Sequence, residues 1–179
     1  RFQNSPAETR QMTTAQLREN FLVQQLIQDD KVELVYSHYD RVIIGGVKPV
    51  NKTLALPNHP ELKADHFLER RELGIINVGG PGLVIAGGKE YAINKLDCVY
   101  LGKETRDVKF KSKSKKDPAL LYLLSAPAHR RYPNKLMTKE KASPVNLGDA
   151  ATSNKRTIYK YIHLDGIKSC QLVMGLTVL

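Results

Sequence analysis

Between Phe67 and Gly102 the chain is punctuated by glycines in a way that leaves few folds open. Two runs of branched apolar residues, Leu73-Gly74-Ile75-Ile76-Asn77-Val78 and Leu83-Val84-Ile85-Ala86, each stop at a double glycine. Gly79-Gly80-Pro81-Gly82 and Gly87-Gly88 supply the positive φ and the preset φ that tight turns demand. Tyr91-Ala92-Ile93, a turn at Asn94-Lys95, and Asp97-Cys98-Val99-Tyr100-Leu101 ending at Gly102 continue the rhythm. Strands of about five residues with a turn about every ten indicate an antiparallel sandwich or barrel. The glycines follow strands and open no helix, so they are hairpin residues and not a phosphate loop.

The rest of the chain fits the same frame. Residues 1–12 are polar and read as an extended or mobile arm, leaving 13–179 as one domain. Thr13 and Gln16 form a capping box ahead of a short helix through Leu17–Leu22. Val32–His38 and Arg41–Ile44 read as strands about Tyr39-Asp40, Gly45-Gly46 as a turn, and Val50–Leu56 as a further strand. Ala119–Leu124 is apolar on both faces and reads as a buried strand. The chain is then mostly irregular up to Lys155, and a loop of that length usually covers or binds something. Strand alternation returns at Arg156–Ile162, and Cys170, Leu172, Met174 and Leu176 share one face of a final strand. A sheet segment seldom ends on its most apolar residues, so a C-terminal continuation past Leu179 is expected.

No apolar run reaches the roughly 20 residues that span a bilayer, which argues against a membrane protein. Cys98 and Cys170 both lie in apolar segments, the pattern of free thiols in a reducing, cytoplasmic compartment. The net charge of +10 raises the question of nucleic acid. Much of that charge sits in Lys109–Lys116, which reads as a solvated hairpin loop. Phe110 alone interrupts it, so the aromatic platform of a single-strand binder is missing.

Four charges in a row, Glu69-Arg70-Arg71-Glu72, stand beside a buried run and need partners. Cross-strand ion pairs or a subunit contact satisfy them most simply; a substrate-facing role for Arg70 or Arg71 is the alternative. His129, in a proline-rich loop with Arg130, Arg131 and Tyr132, reads as a structural hydrogen-bonding histidine, with a place in a substrate pocket as the other option. His38, beside Asp40 and Arg41, reads as an ion-paired or interface group, and His66 as an edge histidine or the remnant of a metal position. Arg156 and Lys160 are four apart on one strand face and have the chemistry to bind a carboxylate, though solvent or a neighbouring subunit are equally good destinations.

The glycine-punctuated stretch resembles a cupin half-barrel. Cupins that bind metal there place two histidines one residue apart, followed by a glutamate; this chain has His66 alone, and Thr105-Arg106-Asp107 stands near the place of the late histidine. A cupin half of this kind has lost its metal. Several segments together resemble one family, the 5-keto-4-deoxyuronate isomerases (4-deoxy-L-threo-5-hexosulose-uronate ketol-isomerases). They are Val35–Arg41, Phe67–Gly74, Ala126–His129 with Tyr132-Pro133, Ser143–Val145, Thr152–Ile158, Lys160-Tyr161, Cys170–Leu172 and Met174–Thr177. The resemblance implies a two-cupin subunit assembled as a hexamer and an acidic sugar, a deoxyketouronate, as substrate. It further implies an aldose–ketose type isomerisation through an enediolate stabilised by zinc, with zinc held by three histidines and a glutamate beyond Leu179. This chain is then the N-terminal half, with no metal ligand and no catalytic residue of its own, inactive by itself. Arg70, His129, Arg156 and Lys160 are its candidates for contact with the acidic substrate. The rival readings are a non-catalytic cupin-like binding or assembly module and, on charge alone, a nucleic-acid-binding domain.

Overall fold

A computed structural model describes all 179 residues, Arg1–Leu179. Two short helices, α1 (Pro6–Gln11) and α2 (Thr14–Phe21), precede thirteen strands. The strands are β1 (Val32–Tyr36), β2 (Ile43–Val47), β3 (Leu54–Ala55), β4 (Arg71–Asn77), β5 (Gly82–Ala86), β6 (Lys89–Ile93) and β7 (Cys98–Leu101). They continue with β8 (Lys109–Ser112), β9 (Leu121–Pro127), β10 (Lys135–Met137), β11 (Val145–Leu147), β12 (Arg156–Ile162) and β13 (Met174–Val178). One sheet runs β1-β2-β9-β4-β7-β10, a second β3-β8-β5-β6, and a third β11-β12-β13. All their ladders are antiparallel. The sets β2-β9-β4-β7 and β3-β8-β5-β6 are the two four-stranded sheets of a jelly roll, the architecture of cupins. The fold class is therefore all-β and cupin-like; the two sheets face each other without closing into a barrel.

Alternation along the strands sorts residues onto two cores. Leu73 and Ile75 of β4, Val99 and Leu101 of β7, and Leu121 and Leu123 of β9 point between the jelly-roll sheets, where they meet Val84, Tyr91, Ile93 and Phe110. The opposite face of the first sheet, with Ile76, Cys98 and Tyr100, packs against Tyr161, Ile162, Leu172 and Met174 from the third sheet and its approach. β4 is thus covered on both sides, and every one of its residues is buried. Each fully buried Leu or Ile contributes about 1.5–3 kcal/mol. Gly74 shows how closely the third sheet sits: a Cβ there would lie 2.5 Å from the Met174 sulfur and 3.0 Å from Ile162 Cδ1.

Several local expectations are corrected. The N-terminal arm contains α1, whose Ser5 and Glu8 form a reciprocal capping box. Gly45-Gly46 lies within β2 and makes no turn. Glycine is needed there for close approach, since a Cβ on Gly46 would lie 2.1 Å from the Leu26 carbonyl oxygen. The turn before β2 is made by Asp40 and Arg41, both at positive φ. The strand expected from Val50 is reduced to Leu54–Ala55, and of the four-charge run Glu69 and Arg70 lie in the turn ahead of β4 while Arg71 and Glu72 open it. The lysine-rich run is partly β8, with Phe110 buried in the main core and Lys109 and Lys111 exposed on either side of it. Cys170 and Leu172 precede β13 in a bend. The Gly87-Gly88 hairpin, both residues at positive φ, joins β5 to β6 as read.

Candidate functional site

The four-charge run does not resolve into cross-strand ion pairs. Glu69 and Arg70, neighbours in sequence, approach to 3.8 Å at the surface, while Arg71 and Glu72 form no ion pair. Glu72 is fully buried on the outer face of β4. Its carboxylate accepts from the Tyr100 hydroxyl at 2.6 Å and from the backbone N–H groups of Cys170, Gln171 and Leu172 at 2.8, 2.7 and 2.9 Å. Four donors satisfy a buried charge without a cation. The result is a clamp that fixes the approach to β13 against the jelly roll. Burial, then the hydrogen bond to Glu72, pushes the Tyr100 phenol up, which keeps it a donor.

Arg71 shares the inward parity of Leu73 and Ile75, but at the end of β4, where the space between the sheets opens. Its Nε donates to Ser125 Oγ at 3.0 Å, and its Nη2 donates to the Ser125 and Arg41 carbonyls at 3.0 and 2.7 Å. These contacts orient the guanidinium without neutralising it, and Nη1 keeps no partner. Burial pulls the group down to about 10, opposed by Tyr36 and reinforced by Arg41, so it is a cation at neutral pH.

This arginine forms the floor of a cleft of about 760 Å³ at the mouth of the jelly roll. Leu34 and Tyr36 of β1, Ile43 of β2, Phe67 and Pro127 give it an apolar wall, and His38, Arg41, His59, Glu61 and Arg70 supply the polar rim. Three arginines face a single glutamate. The segment around the short 3₁₀ turn Pro60–Leu62 is held over one side by Arg70, which donates to the Leu62 carbonyl at 2.9 Å and also to that of Lys63.

Of the four candidates from sequence, only Arg70 lines this cleft. His129 is exposed just beyond β9, and its ring makes no hydrogen bond. Arg156 and Lys160 lie on β12, across the first sheet from the cleft, where Arg156 hydrogen-bonds Asn154. His38, read as an ion-paired or interface group, makes no ion pair and packs against Phe2 (tilted) and Tyr36 (edge-on), ring centroids 4.8 and 5.7 Å away. Arg41, His59 and Tyr36 carry no signal in the sequence, because residues from separate turns and an edge strand converge only through tertiary structure. The spacing of Arg71 relative to Leu73 and Ile75 was a usable signal for an inward-facing cation.

The residues present do not fit a metal. No three His, Cys, Asp or Glu side chains gather anywhere in the chain, and the interior between the jelly-roll sheets is filled by apolar side chains. Glu72 is consumed by its four donors. Both ring nitrogens of His66 are buried and unpartnered, but without companion ligands.

Comparison with known proteins gives this fold a family. The sequence model of the KduI/IolB family matches residues 21–179. The chain belongs to the KduI/IolB family. Among curated relatives, a protein of Halalkalibacterium halodurans named 4-deoxy-L-threo-5-hexosulose-uronate ketol-isomerase is 50% identical over all 179 residues. Proteins of the same name from Shouchella clausii and Caldicellulosiruptor bescii are 49% and 44% identical over the same length. The chain spans 65% of the length of each of these three relatives. Among solved structures, an IolB-like protein of Salmonella typhimurium LT2 superposes with a TM-score of 0.51 at 18% identity, covering 66% of this chain and 43% of that one. At that identity the likeness concerns the fold alone, and it agrees with the jelly-roll order of a KduI/IolB member.

Proposed function

We propose that this chain is the N-terminal part of a 4-deoxy-L-threo-5-hexosulose-uronate ketol-isomerase, acting on 5-keto-4-deoxyuronate in pectin and uronate breakdown and yielding 3-deoxy-D-glycero-2,5-hexodiulosonate. The observation that carries the reading is the 44–50% identity, over every residue of the chain, to relatives bearing that name. The reaction conserves the formula of the sugar: a proton leaves one carbon, an enediol forms, and the proton is returned to the neighbouring carbon, so no external oxidant or reductant is consumed. Lewis-acid stabilisation of the oxygens by zinc belongs, in this reading, to residues beyond Leu179, since no ligand set exists here. The part played by these 179 residues is architectural: the jelly roll, and the third sheet fastened to it through Glu72, form a rigid platform for the rest of a cytoplasmic homo-hexamer.

A second reading, a non-catalytic cupin-like binding module, draws on the basic cleft, and the two are compatible within one polypeptide. The test is turnover of the deoxyketouronate by the full-length gene product, followed as conversion to the 2,5-diketo product. Steady conversion without added redox cofactor supports the isomerase. A metal-replete full-length protein that leaves the sugar unchanged overturns it.

A further inference from the structure

We propose that the cleft around Arg71 is a binding site for the carboxylate of a small hydroxylated acid, of the size and chemistry of a hexuronate. The cleft itself rests on charge and shape, and the choice of a hexuronate as its ligand rests on the isomerase reading.

A buried cation normally finds a counter-charge, because removing it from water is costly. Arg71 is only 8% exposed and has no carboxylate within ion-pairing distance. Its contacts hold the guanidinium plane still and leave Nη1 unengaged at a cleft wall. That is a pre-oriented donor for an anion, and a planar carboxylate matches the fork of an arginine better than a point anion does.

The surroundings select the rest of the ligand. Arg41 adds a second guanidinium whose side chain makes no hydrogen bond, since only its carbonyl is used by Arg71. Tyr36, His38, His59 and Glu61 supply donors and acceptors suited to hydroxyls, while Leu34, Ile43 and Phe67 offer an apolar wall to a sugar ring's C–H face. The cleft volume of about 760 Å³ falls in the range of small-molecule sites, about 300–1,000 Å³. A long polyanion is a poorer match, because the rim also carries Glu61 and the arginines line a concave mouth, not a groove.

The experiment is calorimetric titration of full-length, chelator-treated protein with D-galacturonate, with D-galactose as the neutral control. Arg41→Ala and Arg71→Gln serve as variants, alongside a crystal soaked in the same acid. The expected result is saturable binding of galacturonate, no binding of galactose, and a weakening of about tenfold in Arg41→Ala, the loss of one charge-assisted contact. In the soaked crystal the carboxylate should lie within hydrogen-bonding distance of Arg71. Arg41→Ala leaves every hydrogen bond of the fold in place, so it reads the site even where Arg71→Gln destabilises the protein. Equal affinity for galactose, an unchanged Arg41→Ala, or a soaked ligand located elsewhere overturns the proposal. So does an Asp or Glu of a second copy seated on Arg71 with no galacturonate bound. Failed turnover with galacturonate binding intact removes the isomerase reading and leaves this site standing.

Discussion

The most exacting perturbation of this structure is Glu72→Gln. The substitution preserves shape and removes the charge. One amide oxygen can still accept from Gln171 and Leu172, but the amide NH2 then points at the Cys170 N–H, donor against donor, while the Tyr100 hydroxyl must turn to accept. Hydrogen bonds to a charged group are each worth about 1.5–3 kcal/mol, and a buried donor left unpaired costs about 1–3 kcal/mol. Losing one such bond outright and weakening three others sums to about 3–5 kcal/mol, a large share of the roughly 5–15 kcal/mol that holds a domain together. With a urea slope of about 2 kcal/mol per molar, the unfolding midpoint should fall by about 2 M. Tyr100→Phe removes a single donor and should cost less, and the double variant should show a coupling of about 1–2 kcal/mol between the pair. A Glu72→Gln midpoint within about 0.5 M of the parent, below about 1 kcal/mol, would refute the clamp.

Other consequences follow from the same geometry. Gly74→Val forces side-chain atoms into Met174 and Ile162, and should destabilise the docking of the third sheet by about 1–3 kcal/mol, read as faster amide exchange in β12 and β13. Asp30 accepts from Asn51 through its backbone and side chain and from the Val50 N–H, which hold its carboxyl down to about 2, below the ordinary 3.8. Its folded value is lowered, so its contribution is present above about pH 4 and is lost as the pH falls through about 2. The thermal midpoints of parent and Asp30→Asn should therefore differ at pH 6 and converge near pH 2, and a constant gap would contradict the assignment. Burial pushes the Cys98 thiol up to about 12. Iodoacetamide at pH 8 should thus label the half-buried Cys170 first and reach Cys98 only on unfolding, as peptide mass mapping would show.

The Gly87-Gly88 hairpin and the apolar Ala119–Leu124 segment made an antiparallel sandwich or barrel legible, because turn chemistry and burial are local properties of sequence; Gly79–Gly82 instead carries the chain from β4 in one sheet to β5 in the other, with no positive φ. The role of Gly46 was not legible, since the Leu26 carbonyl that crowds it belongs to a loop whose path only the folded chain defines. Glu72 and Arg71 read from sequence as charges in need of partners. Their actual partners are the Tyr100 and Ser125 hydroxyls and, for the most part, backbone groups up to a hundred residues away, and the backbone groups carry no mark in the side-chain sequence. The same limit applies to the cleft, where Tyr36, Arg41 and His59 come from different turns and an edge strand, so only Arg70 and the parity of Arg71 hinted at it. The family was legible because its segments recur in order and at matching spacing.

In the reading proposed above, ketol-isomerisation belongs to the whole protein and no metal is held by these 179 residues. The most direct test is zinc stoichiometry measured together with deoxyketouronate turnover, for residues 1–179 and for the full-length gene product. The expected result is one zinc per subunit and steady turnover in the full-length protein, and neither in residues 1–179. Stoichiometric zinc with turnover in residues 1–179 would contradict it, and would return attention to His66 and its unpartnered ring nitrogens.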